Sequence, residues 1–169
     1  MKTYAKNISP GSVAYFSNPG SNYFDPGQYT VSGPGGPDVG SFSTTVTFPK
    51  AISWTNQSSL TSVVRANGVT VYWTGGDPAG FVQISGQSSI ATSTTTSLFA
   101  RFDCVARTRD GAMTIPPAVL LALPPTAETL GTLTVGDTYN HVPFTATGLD
   151  HGYIYFGTAA LNLGIVTYR

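Results

Sequence analysis

The sequence predicts an all-β, antiparallel sandwich, and three observations carry that prediction. Short β-branched or aromatic runs recur between turn clusters every ten to fifteen residues or so, the spacing of a sandwich or barrel. Within the runs apolar and polar residues alternate with period two, which marks strands with one buried and one wet face. The composition fits as well: 9% of the 169 residues are charged, while Ser and Thr supply about 40 and Gly 19. An average soluble domain carries roughly 25% charged residues.

The turn clusters come in order as Asn18-Pro19-Gly20, Asp25-Pro26-Gly27, Gly33 to Asp38, Asn67-Gly68, Gly75-Gly76-Asp77-Pro78 and Asp110-Gly111. All tolerate positive φ, and all but Asn67-Gly68 and Asp110-Gly111 add a proline whose φ is already set. Between them Phe42, Thr44, Val46 and Phe48 fall on one face, with Ser43, Thr45 and Thr47 on the other. Val69, Val71 and Trp73 alternate with Thr70, Tyr72 and Thr74. Leu98, Ala100, Phe102, Cys104 and Ala106 alternate with Phe99, Arg101, Asp103, Val105 and Arg107. Val142, Phe144 and Ala146 alternate with His141, Pro143, Thr145 and Thr147. The helical candidate, Pro116 to Pro124, is bracketed by prolines, so a short helical turn near 117–123 is expected across one end of a sheet. Residues 87–97 are low in complexity and are expected to form a mobile loop leading into the next strand.

One domain spanning 1–169 is the expected organisation, with a seam near 49–51 at which 1–49 could be the tail of an upstream domain. No apolar h-region follows Met1-Lys2-Thr3-Tyr4-Ala5-Lys6, so either the chain is cytoplasmic or a leader and upstream sequence have been removed; the few charges and many Ser and Thr make the second, a secreted protein, the expectation. Asn7-Ile8-Ser9 and Asn56-Gln57-Ser58 fit the N-glycosylation pattern. Eight Lys plus Arg against eight Asp plus Glu, with no basic run, argue against nucleic acid or an anionic membrane surface. No stretch approaches the roughly 20 apolar residues of a spanning helix.

Trp73, followed about thirty residues later by Phe102-Asp103-Cys104, resembles the strand C Trp and strand F Cys of an immunoglobulin-like sandwich, with the second Cys missing. A longer string resembles a group of secreted immunoglobulin-like proteins of acidobacteria. It comprises Gly35 to Phe42, Trp54-Thr55-Asn56-Gln57, Trp73 to Pro78, Thr114 to Pro124, and Thr147-Gly148-Leu149-Asp150. The resemblance implies an extracellular or cell-surface immunoglobulin-like region and carries no activity or catalytic residues with it.

Candidate chemistry is sparse. No G-x-S-x-G elbow, phosphate loop or dinucleotide fingerprint occurs. Cys104, in register with Leu98, Ala100 and Phe102, reads as an inert core thiol. A metal such as zinc would have to use His141, His151 and Asp150. A hairpin about Gly148-Leu149-Asp150 that pairs Thr147 with His151 puts the two histidines roughly 20 Å apart, too far to share an ion within one chain, which leaves an intersubunit site or one made by His151 and Asp150 with a distant Asp. Calcium could use Asp38, Asp77 and Asp150 in their Gly-rich turns, although carboxylates there commonly serve local hydrogen bonds.

Exposed aromatics make the better case. Tyr153 and Tyr155 share the outward face with His151, and Tyr72 stands opposite Val71 and Trp73. Tyr15, Phe16, Tyr23, Phe24 and Tyr29 crowd the first thirty residues. Such rings give flat, rigid contact area suited to sugars or to another protein. The leading expectation is therefore a non-catalytic binding or adhesion module with Tyr72, His151, Tyr153 and Tyr155 as contacts and a polysaccharide or protein as partner. A metal-dependent hydrolase of ester or phosphoester bonds is the second reading. The third is a spacer or self-assembling domain, a homo-oligomer joined through its edge strands.

Overall fold

The computed structural model describes residues 25–126, 131–138, 140–156 and 162–169. Alternating sequence becomes paired strand almost throughout. In chain order the strands are β1 (Gly27–Gly33), β2 (Phe42–Phe48), β3 (Ser53–Trp54), β4 (Ser62–Val63), β5 (Val69–Thr74), β6 (Phe81–Ala91), β7 (Ser97–Arg107), β8 (Ala112–Ile115), β9 (Gly131–Asp137), β10 (Asn140–Phe144), β11 (Gly152–Phe156) and β12 (Asn162–Tyr168). One short helix, α1 (Pro117–Leu120), lies between β8 and β9, where Pro117 at its first turn starts it at no hydrogen-bond cost.

Two sheets form the sandwich. One has the order β3-β5-β8, the other β4-β12-β9-β6-β7. All pairings in them are antiparallel except the two-residue contact of β4 with β12. With β3, β5 and β8 as strands A, B and E, and with β12, β9, β6 and β7 as strands G, F, C and C′, the order is that of an immunoglobulin-like sandwich. Trp73 consequently sits on the B strand and Cys104 on C′, in opposite sheets, rather than on C and F as expected. The apolar alternation marks both residues as inward-facing but is blind to which sheet a strand joins.

The core lies between the two sheets. Trp54, Val69, Val71, Trp73 and Ile115 meet Val82, Ile84, Leu133, Val135, Val166 and Tyr168, all 8% exposed or less. Leu120 and Leu123, from α1 and the turn after it, close one end. Cys104 packs against the edge of this cluster, and burial, then the charge of Asp103, pushes its thiol up. The Trp73 indole N–H donates to the Thr108 carbonyl at 2.9 Å, so its polar edge is satisfied. Thr108 itself is 5% exposed, and its hydroxyl is a buried polar atom without a partner. Thr108→Val removes that unpaired hydroxyl and keeps the shape, so it should stabilise the fold by about 1 kcal/mol in chemical denaturation. A loss of stability would contradict this.

The low-complexity stretch is mostly strand. β6 runs to Ala91 and pairs with β7 over eleven consecutive positions, from Phe81–Arg107 to Ala91–Ser97, leaving 92–96 as the turn. Backbone pairing does not need apolar side chains, and the inward Ser88 is satisfied by donating to the Pro124 carbonyl at 2.6 Å. Among the described residues β6 has no partner in β9 beyond Gln87. Leu98, expected inside, is 54% exposed. Asn56 is no free glycosylation acceptor. Its Nδ2 donates to the Thr70 carbonyl, and its Oδ1 accepts from the Trp54 indole and the Tyr72 amide. Asn7 lies outside the described residues. No helix of the described residues is long and apolar enough to cross a membrane.

Candidate functional site

Two ribbons are added to the sandwich: β1 with β2, preceding the A strand, and β10 with β11, carried in the connection between the F and G strands. Their apolar faces follow from the pairing. In the second ribbon Val142 lies opposite Ile154 and Phe144 opposite Gly152. A Cβ on Gly152 would come within 2.7 Å of the Phe144 ring, so the glycine makes room for that ring. Phe144 in turn stacks on Phe42 of β2, centroids 4.1 Å apart and planes 25° apart.

The ribbons are also joined at their turns. The Gly40 amide donates to the Thr147 carbonyl at 2.7 Å. Gly148, at φ 85°, closes a turn in which the Leu149 amide donates to the Ala146 carbonyl. A side chain at Gly148 would meet the Asp38 carbonyl.

The opposite face of β10–β11 is wet. It carries His141 directly across from Tyr155 and Pro143 across from Tyr153, with His151 just before β11. Proline is tolerated here because both strands of a two-stranded ribbon are edges. Four rings form a zigzag row. Tyr155 to His141 is 5.8 Å between centroids, His141 to Tyr153 5.5 Å, and Tyr153 to His151 6.5 Å. Tyr153 and Tyr155 are themselves 6.1 Å apart. Tyr155 is 68% exposed and Tyr153 46%, and both histidines are exposed. The rings form one contiguous exposed row.

This row differs from the sequence expectation in two ways. His141 belongs to it, and Tyr72 does not. Tyr72, 49% exposed, stands on the outer face of the three-stranded sheet, opposite Ala112. The hairpin register is also shifted: Phe144, not a position three residues later, marks the last pair, opposite Gly152. The physical reason is the docked turn, whose Thr147 carbonyl accepts from the Gly40 amide and whose Gly148 lies against the Asp38 carbonyl, instead of tightening onto its own strands. The two histidines are therefore closer than the roughly 20 Å expected from a tight hairpin, each lying beside the Tyr153 ring.

That ring stands between them, and among the described residues no three His, Cys, Asp or Glu side chains are grouped to hold a metal ion. Asp150 is exposed in the turn. Asp77 accepts the Ala79 amide at 2.9 Å, the local turn bond that carboxylates in such positions commonly make. Of the N-terminal aromatics, Tyr29 donates to the Asp25 carbonyl and packs edge-on against Phe48. Tyr15, Phe16, Tyr23 and Phe24 lie outside the described residues.

One feature left no readable trace in the sequence. An open cleft of about 590 Å³ runs between β3 and β12, lined by Trp54, Thr55, Gln57, Ser58, Leu163, Gly164 and Ile165. Gln57 bridges it by donating to the Leu163 carbonyl at 2.8 Å. Leu163 and Ile165 beside it are more than half exposed. The chain matches no protein-family model, and neither a curated protein nor a solved structure matches it significantly.

Proposed function

We propose that the chain is a non-catalytic binding module of an extracellular or cell-surface protein, and that the row Tyr155, His141, Tyr153 and His151 takes up a carbohydrate chain. The observation that carries this reading is the row itself. Four exposed rings at spacings of 5.5 to 6.5 Å offer successive faces for sugar rings, and the tyrosine hydroxyls and imidazole nitrogens supply hydrogen bonds beside them. A formal net charge of zero favours a neutral glycan over a polyanionic one. The position of the ribbon, in the F–G connection, is where variable immunoglobulin domains carry one of their binding loops, an analogy of fold alone. The secreted location rests on the composition and on the acidobacterial resemblance.

Affinity electrophoresis through gels containing cellulose derivatives, xylan, mannan or glucan tests the reading. At least one neutral polysaccharide should retard the protein. Tyr155→Ala should weaken that retardation about 30-fold, the roughly 2 kcal/mol of a dominant aromatic contact, with the melting temperature unchanged. Tyr72→Ala should bind as the parent does. No retardation by any of the polymers, or a Tyr155→Ala protein that binds like the parent, would sink the proposal.

A further inference from the structure

The five-stranded sheet ends at β7, which among the described residues pairs with β6 alone. Its eleven residues form a long edge, and Leu98, Phe99 and Val105 on it are all more than half exposed. Long, apolar, unpaired edges are the strands that join other chains. Which backbone groups are free follows from the ladders on either side of β6. The Thr138 amide donates to the Phe81 carbonyl, so odd-numbered residues of β6 turn their backbone groups toward β9. Even-numbered residues of β6 therefore face β7, and the Thr108 amide donating to the Gly80 carbonyl continues that ladder. In β7 the even-numbered residues are thus bonded to β6. Phe99, Arg101, Asp103 and Val105 point their N–H and C=O groups outward, and their side chains share the outer face of the sheet.

We infer that this edge pairs antiparallel with the same edge of a second copy of the chain, about a two-fold axis at Phe102. In that register Arg101 lies opposite Asp103 of the second copy, and Phe99 lies opposite its Val105. Both are pairs in which the outward backbone groups of each residue meet those of the other. An axis at Arg101 would set arginine against arginine, and one at Asp103 would set aspartate against aspartate. Axes at Ala100 or Cys104 leave no Arg–Asp match. An axis at Val105 would also set Asp103 against Arg107 of the second copy, but it pairs only the stretch from Asp103 to Arg107, whereas the axis at Phe102 pairs the whole strand from Ser97 to Arg107. Within each copy Asp103 already accepts from Arg101, Gln83 and Ser85. The Arg101 guanidinium first, then the Ser85 hydroxyl, hold its carboxyl well below the usual carboxylate range. The two-fold axis would bring two such pairs together in alternating sign, and the two five-stranded sheets would become one continuous sheet. The interface is isologous and closes at two copies.

Sedimentation equilibrium on the intact chain, from roughly 1 µM to 1 mM, tests this. The parent protein should form dimers and nothing larger. Arg101→Asp, which sets like charges against each other across the axis, should weaken the dimer at least about tenfold. The swap Arg101→Asp with Asp103→Arg should restore it to within about threefold of the parent, since the match across the axis is regained. A pair that mattered only inside one copy would change the melting temperature and leave the association constant alone. Hydrogen exchange on the parent gives a second readout that needs no variant: the amides of Phe99, Arg101, Asp103 and Val105 should gain protection as concentration rises. A strict monomer, a dimer indifferent to Arg101→Asp, a swap that fails to restore it, or exchange at those four amides independent of concentration would overturn the inference.

Discussion

Trp73→Ala should cost the fold about 3–5 kcal/mol, the range for deleting a buried aromatic from a packed core. Trp73 is 3% exposed and sits at the centre of the three-stranded sheet, between β3 and β8. It faces a core drawn from both sheets, so neither sheet can collapse into the gap without the other. The indole also donates to the Thr108 carbonyl, at the turn that leads from β7 into β8. Truncation therefore opens a cavity and withdraws a donor in one step. For a chain of this length the loss corresponds to a melting temperature roughly 10 °C lower by calorimetry. Trp73→Phe keeps most of the apolar volume and should cost less. A decrease below about 1 kcal/mol for the alanine variant would mean that the core is not organised around this residue.

Gly148→Ala should separate the two ribbons while leaving the sandwich folded. Gly148 has φ 85°, in the left-handed region that disfavours a side chain, and a Cβ there would collide with the Asp38 carbonyl oxygen. The obstacle is backbone, so no rotamer change relieves it. The turn must move away from the 38–40 loop, and the Gly40 to Thr147 hydrogen bond must break. Left-handed backbone at a non-glycine residue costs of order 1–3 kcal/mol, and here that strain falls on the junction of the ribbons. The Gly40 amide should lose its protection in hydrogen exchange while amides of β6 and β9 keep theirs. Retardation by polysaccharide should weaken about tenfold, because the aromatic row is then no longer held by the Phe42–Phe144 stack. A Gly40 amide that stays protected would contradict this account of the junction.

The strands were legible because half-buried sheets impose a period of two. Phe42, Thr44, Val46 and Phe48, and likewise Val69, Val71 and Trp73, face inward as the alternation requires. The proline-bracketed helix was legible for a similarly local reason. What alternation cannot carry is the choice of partner. Trp73 and Cys104 have the right periodicity and spacing for one pair of strands and occupy another, because sheet membership is decided by contacts distant in sequence.

Low complexity marks the Ser- and Thr-rich run from Gln87 as loop, yet a backbone ladder with β7 holds it as strand as far as Ala91. The aromatic row was half legible. Tyr153, Tyr155 and His151 lie close in sequence and show a common face, and the structure keeps them together. His141 joined them only through the register of the hairpin, which the docking of a distant loop sets. Alternation turns Tyr72 outward, as it stands in the structure, but no local pattern shows that its face belongs to another sheet.

The most direct measurement is an aromatic ¹³C chemical-shift titration of the labelled protein with the polysaccharide that retards it most strongly. If the β10–β11 face is the binding surface, the rings of Tyr153, Tyr155, His141 and His151 shift together along one saturation curve while Tyr72 and Trp54 stay where they are. Shifts centred on Tyr72, or on Trp54 beside the cleft of Leu163 and Ile165, would place the ligand elsewhere and contradict the account.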